Sequence, residues 1–229
     1  MPYNFFAISF YQIFICVFIP FFMRSTPTFA LSQKQINALQ NGSVAIFPTE
    51  TIYGIGCSAL CEKSLARVFE IKGRAPDQPP PVLIFDSAQL NFLVSEISPF
   101  AKHLISQHWP GALTLILPAR QEISSLLCGF SPDANTRTVG VRCTAHPIAR
   151  ALCQTIGAPL IATSANASGA RGREAAPQSL EDIAPAFKQQ VDMIFDGGAV
   201  AGTPSTVVDC VSIPPRIVRL GAVPIEELE

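Results

Sequence analysis

The apolar run VAIF at residues 44–47 empties directly into PTETIYGIGC, and no other stretch narrows the choice of fold as much. Those ten residues hold three hydroxyls, one carboxylate, one proline and two glycines. Such a stretch is too polar for a core. It predicts a sheet whose strand ends carry polar connections, the arrangement in which α/β proteins build their sites. An ordinary strand-end turn draws on the same residue types. A well-marked helix precedes the run: Ser32 and Gln35 make a capping box, Leu31 and Ile36 a hydrophobic staple, and Asn41-Gly42 the stop.

Further along, apolar periodicity predicts a helix at residues 62–71, with Leu65, Val68 and Phe69 on one face, ending in Lys72-Gly73-Arg74. Cations at a helix C-terminus oppose the macrodipole, and Gly73 suits the C′ position. Four prolines at residues 75–81 then stiffen the chain, which would hold the two cations in place before a strand at 82–85. Helical patterns follow at 87–94 and 98–108. Strands are predicted at 113–117 and 138–142, separated by a long polar connection that reads as a mobile flap. After a helix at 147–156 and a strand at 159–163 comes ATSANASG, a loop of small hydroxyl and amide residues able to form an anion nest. A plain Ser/Gly turn has the same composition. A short helix at 180–184, an apolar run at 193–195, the loop GTPST, and strands at 207–210 and 216–220 complete the pattern. Strands occur both with and without an intervening helix. The fold class is therefore α/β, with a twisted mixed sheet and flanking helices.

At 229 residues without a recognisable linker, the chain reads as one domain at 31–229 behind an apolar leader at 1–30. Residues 3–22 carry no charge and could span a bilayer or serve as a signal. The absence of a basic flank and the enzyme-like remainder favour a translation start at Met23, so no membrane association is expected. Seven scattered cysteines form no CxxC pair and no zinc spacing with three histidines, which fits reduced thiols in a cytoplasmic protein and argues against a protein-held metal. Net charge is −1, yet eleven of the sixteen cations are arginine, several beside glycine or at the ends of apolar runs. That placement points to anion binding.

Lys72, Arg74, Arg142 and Arg219 all adjoin loops rich in Thr, Ser, Asn and Gly. These loops could hold a polyphosphate and a carboxylate together. There is no GxxxxGK[ST] loop, no GxGxxG after a strand, and no Ser/His/Asp or Cys/His nucleophile set. Catalysis would rest on positioning and charge neutralisation, as in attack on a phosphoryl group.

PTETIYGIG, KGR with its proline-rich sequel, WPGALTLIL, TVGVR, ATSANASG, PSTVVD and RLGAV occur in the order and at about the separations of the YrdC-like threonylcarbamoyl-AMP synthases, which this chain resembles over residues 32–223. The resemblance implies a concave basic cavity and an enzyme that uses L-threonine, bicarbonate or CO2, and ATP. The product would be L-threonylcarbamoyl-AMP, destined for the threonylcarbamoyl modification of tRNA adenosine by downstream threonylcarbamoyl-transferase proteins; direct contact with tRNA stays open. It further implies that Thr51, Arg142, Ser205 and the backbone at Ala162 hold threonine. Arg74, Gln78, Thr138, Ser164, Gly172 and Arg219 would hold ATP, with Lys72 and Asn166 close by. Lys72, Arg74 and Arg142 are the expected catalytic cations, and Mg2+ would arrive with ATP. Departures from the family pattern stand at Ala75, Gln78 and Leu83. Leu83 replaces a histidine of longer members and puts one threonine contact in doubt. A carbamoyl-transfer domain of the hydrogenase-maturation type and a non-catalytic RNA-binding module are the competing readings.

Overall fold

The computed structural model describes residues 29–228, so the leader up to residue 28, the start at Met23 and Cys16 lie outside the described residues. Among the described residues no helix is long and apolar enough to cross a membrane. Helix α1 (Gln33–Gln40) begins with the expected capping box and ends at Asn41, after which Gly42 takes φ 88°. Strands β1 (Ala45–Pro48) and β2 (Tyr53–Gly56) then form an antiparallel hairpin. Half of the stretch expected to be loop is therefore strand. Thr49, Thr51, Tyr53 and Ile55 are all buried. Burial is possible because the polar groups find partners: the Tyr53 hydroxyl donates to the Gly198 carbonyl at 2.8 Å and accepts from the Gly197 N–H at 3.0 Å.

Helix α2 (Glu62–Lys72) stops at Gly73, in the left-handed region at φ 59°. The chain continues through β3 (Val82–Ile84), α3 (Pro99–His108), β4 (Leu113–Pro118), β5 (Gly129–Ser131), β6 (Thr136–Cys143) and α4 (Pro147–Ile156). Then come β7 (Leu160–Ile161), β8 (Thr163–Ser164), α5 (Pro185–Lys188), β9 (Met193–Ile194), β10 (Thr206–Asp209) and β11 (Arg216–Arg219). The helices expected at 87–94 and 180–184 are short 3-10 turns, Ser87–Phe92 and Leu180–Asp182. The connection read as a flap contains the turn Ser125–Leu127 and β5, which pairs antiparallel with β6. Sequence periodicity misses β5 because three residues are too few to show alternation.

The mixed sheet is realised as two. A four-stranded sheet runs β8-β2-β1-β9, and a larger one runs β11-β10-β4-β6-β3-β7 with β5 beside β6. Both combine parallel and antiparallel pairs. The run read as a single strand at 159–163 is divided between them. Leu160–Ile161 pairs with β3 and Thr163–Ser164 with β2, while Ala162 N–H between them donates to Pro81 O at 3.0 Å. The VAIF run is apolar throughout because β1 is covered on both faces. Val44 and Ile46 enter the main core, and Ala45 and Phe47 enter a second cluster with Ile148, Leu152 and Ile156 of α4.

Candidate active site

The turn joining β1 to β2 is built around hydroxyls. Thr49 Oγ1 donates to the Ile52 carbonyl at 2.7 Å and lies 2.8 Å from Thr51 Oγ1. With its only proton committed, Thr49 must accept from Thr51. Thr51 Oγ1 in turn accepts from Arg142 Nη1 at 2.9 Å, which leaves one Thr51 lone pair free toward the cavity. Arg142 enters from β6, in the other sheet, and is 6% exposed. Its Nη1 is 3.3 Å from Glu50 Oε1, whose other oxygen accepts from Thr144 Oγ1 at 2.6 Å. Glu50 is thus the counter-ion of Arg142. The pair is under-satisfied: Arg142 Nε and Glu50 Oε1 are buried without hydrogen-bond partners among the described residues. Burial pulls the Arg142 guanidinium below its ordinary value, Glu50 opposes this, and Arg219 adds to it. Arginine starts so high that it stays charged at neutral pH. The outcome is a buried cation that one carboxylate does not satisfy, and an anionic ligand would be favoured beside it.

Thr51, Arg142, Ala162, Ser164, Ser205 and Arg219 line a single cavity of about 230 Å3, together with Arg74. No carboxylate lies among its lining residues. Arg219, on the edge strand β11, donates from Nε and Nη2 to the Ser205 carbonyl at 3.1 and 2.8 Å, and from Nη2 to Ser205 Oγ at 3.1 Å. Ser205 Oγ also meets Thr114 Oγ1 at 2.8 Å. Arg74 spans from the proline-rich segment to the small sheet, with Nε on the Gln78 carbonyl, Nη2 on Pro79 O at 3.3 Å and Nη1 on Thr163 Oγ1 at 3.1 Å. The prolines therefore do fix this cation. A second cavity of about 440 Å3 continues the first, sharing Arg74, Pro81, Thr114 and Arg219, and Thr138 lines it.

Four expected residues lie outside both linings: Lys72, Gln78, Asn166 and Gly172. Lys72 is buried beneath the ATSANASG loop, and its Nζ donates to Ser164 O at 2.6 Å, Asn166 O at 2.8 Å and Asn166 Oδ1 at 3.0 Å. Burial, with a smaller push from Arg74, lowers it to about 7. Asn166 passes the tie onward, its Nδ2 donating to the carbonyls of Glu174 and Ala175 at 2.7 and 3.1 Å. Ala175 lines the smaller cavity, so Lys72 and Asn166 shape the wall from behind. Gly172 opens the turn Gly172–Ala175 at φ 59°, and the exposed Gln78 presents its carbonyl to Arg74. Leu83 is fully buried in the second apolar cluster and lines neither cavity.

Sequence reasoning overlooked Thr49, Thr114 and Thr163. Thr114 carried a signal, a hydroxyl inside the apolar strand ALTLIL; the other two were visible only as members of hydroxyl-rich motifs. Among the described residues no group of His, Cys, Asp or Glu is arranged to hold a metal ion.

The family model Sua5_yciO_yrdC, described as "Telomere recombination", matches residues 37–221. A threonylcarbamoyl-AMP synthase of Pyrococcus abyssi is 38% identical over 192 residues, covering 83% of this chain and 54% of the relative. One from Bacillus subtilis is 37% identical over 194 residues, covering 83% and 53%. The crystal structure of P. abyssi Sua5 complexed with L-threonine superposes with a TM-score of 0.77 at 36% identity, covering 87% of this chain and 57% of that one. The chain spans about half the length of these relatives.

Proposed function

The chain belongs to the Sua5/YciO/YrdC family, and from that premise we propose that it joins L-threonine, bicarbonate or CO2, and ATP into L-threonylcarbamoyl-AMP and pyrophosphate. This reading makes it an ATP-binding nucleotidyltransferase of tRNA processing. Its product would pass in the cytoplasm to threonylcarbamoyl-transferase proteins acting on tRNA.

The observation that carries the reading is the buried, under-partnered Arg142 beside Thr51, in a cavity flanked by Arg74 and Arg219. The threonine carboxylate would take the open Arg142 donor, and the threonine hydroxyl or amine would meet Thr51, Ser205 and the backbone at Ala162. The neutral amine adds to the carbon of CO2 and loses a proton, giving a carbamate. A carbamate oxygen then attacks the α-phosphorus, and the bond to the bridging oxygen breaks to release pyrophosphate. Two anions must approach each other for that step, so cations on both sides lower the barrier without covalent chemistry by the protein. Arg219 borders both cavities from β11, and Arg74 borders both from the segment that joins α2 to β3. Thr138 and Ser164, with Gln78 and Gly172 behind Arg74 and Asn166, would seat the nucleotide. Mg2+ bound to the phosphates would neutralise further charge there. The hydrogenase-maturation and RNA-binding readings have no observation of their own in their favour.

The purified chain, given ATP, Mg2+, threonine and bicarbonate, is expected to release pyrophosphate only when threonine and bicarbonate are both present. Release that ignores threonine would overturn the proposal.

A further inference from the structure

Ser131 is 5% exposed, lines the larger cavity, and its hydroxyl has no hydrogen-bond partner among the described residues. A buried hydroxyl left unpaired is costly, and such groups are rare unless something absent from the free protein satisfies them. Its position along the cleft indicates what that is. On β6, Arg142, Gly140 and Thr138 alternate toward one side; Arg142 borders the smaller cavity, while Gly140 and Thr138 border the larger. In the β5–β6 register Gly129 stands opposite Thr138 and Ser131 opposite Thr136, so Ser131 shares the face of Gly129 and Thr138. Six residues separate the registers of Arg142 and Ser131, about 20 Å at strand spacing. A ligand with its amino acid at Arg142 and its phosphates near Arg219 therefore presents its far end to Ser131.

The cavity at that end suits a planar ring. Gly129 and Gly140 leave gaps between the side chains of its floor, and Pro79 and Pro80, which precede β3, stand on one flank of β6 with Val207 and Val218 of β10 and β11 on the other. We propose that the Ser131 hydroxyl hydrogen-bonds the edge of the nucleobase and is a recognition residue for ATP. The inference rests on the synthase reading of this cleft.

Direct binding by calorimetry tests it, using the wild-type chain and Ser131→Ala with ATP, 2′-deoxy-ATP and inorganic tripolyphosphate. Loss of one hydrogen bond should weaken ATP and 2′-deoxy-ATP equally, by about fivefold to tenfold, and leave tripolyphosphate unchanged. The free Ser131→Ala protein should melt no lower than the wild type, because it loses an unpaired polar group and no contact. Equal ATP affinity in the two proteins, an effect that disappears with 2′-deoxy-ATP, an effect shared by tripolyphosphate, or a lowered melting point of the free variant would each overturn the Ser131 assignment. A wild-type chain that binds no ATP would instead overturn the synthase reading beneath it.

Discussion

Arg142 and Glu50 form a pair whose two members have different duties, and paired substitutions separate them. Arg142→Met should raise the threonine KM by about tenfold to a hundredfold, the worth of a charge-assisted hydrogen bond. It should also destabilise the protein by about 3 kcal/mol, because Glu50, partly buried with its Oε1 out of water, is left without its cation. Adding Glu50→Gln should recover much of that stability in chemical denaturation and none of the threonine affinity; recovery of both would make Arg142 purely structural. Lys72 offers a pH test. The unfolded lysine keeps its proton to about 10.5 and the folded one only to about 7, so between these values the unfolded chain binds more protons and raising the pH stabilises the fold. Wild-type stability should climb between pH 7 and 9 relative to Lys72→Met, and parallel curves would refute the assignment. Above pH 9 buried thiols act in the opposite sense: Cys153 is pushed up to about 12 by burial, so its contribution is whole below the ordinary thiol value of 9.0 and is lost as pH rises through the folded one. At this scale Arg142 and Arg219 could be read as strand-end cations beside small polar residues, whereas Thr51 and Ser205 were singled out only by the family resemblance; all four line one cavity. Lys72 was legible as a cation, but its direction was not, since burial beneath a loop distant in sequence leaves no local trace.

The segment from Leu160 to Ser164 is the element on which the site depends, because it gives its first half to one sheet and its second half to the other. Sequence reasoning read one strand there, since five residues of strand composition look alike whichever neighbours they pair with. The close approach needed at this joint explains a glycine: a Cβ on Gly56 would overlap the Ile161 carbonyl, whereas one on Gly54 would meet Thr163 O at an acceptable 3.4 Å. Gly56→Ala is expected to destabilise by about 2 kcal/mol or more, and Gly54→Ala by about 1 kcal/mol or less. Thermal melts of the two variants measure the contrast, and equal losses would show that the joint yields. The VAIF strand was readable for the opposite reason, since both its faces are covered and every side chain had to be apolar.

The whole molecule divides the cavity walls between its two sheets, with Thr51 and Ser164 on or beside the smaller and Arg142, Thr114 and Arg219 on the larger. Ligands that touch both should brace one against the other. Saturating ATP, near a hundred times its dissociation constant, should add about 2.7 kcal/mol to stability, and threonine with bicarbonate should add more. A thermal-shift series with each ligand alone and together checks this, and a threonine increment absent even with bicarbonate would speak against a shared cleft. The α/β class and the order of most elements were readable from periodicity and caps. Two sheets in place of one were not, because strand partners are chosen over long distances.

The same wiring bears on synthesis. Strand β1 pairs with β9, and β4 pairs with β10, so residues near 45 wait for 193 and those near 113 wait for 206. Ser205 and Arg219, which close the cavity, leave the ribosome last among its lining residues. A nascent chain therefore exposes the β4 edge and has no complete cavity until almost all of the described sequence has emerged. A ligand of that cavity, however abundant in the cell, can reward a finished fold and cannot guide its assembly.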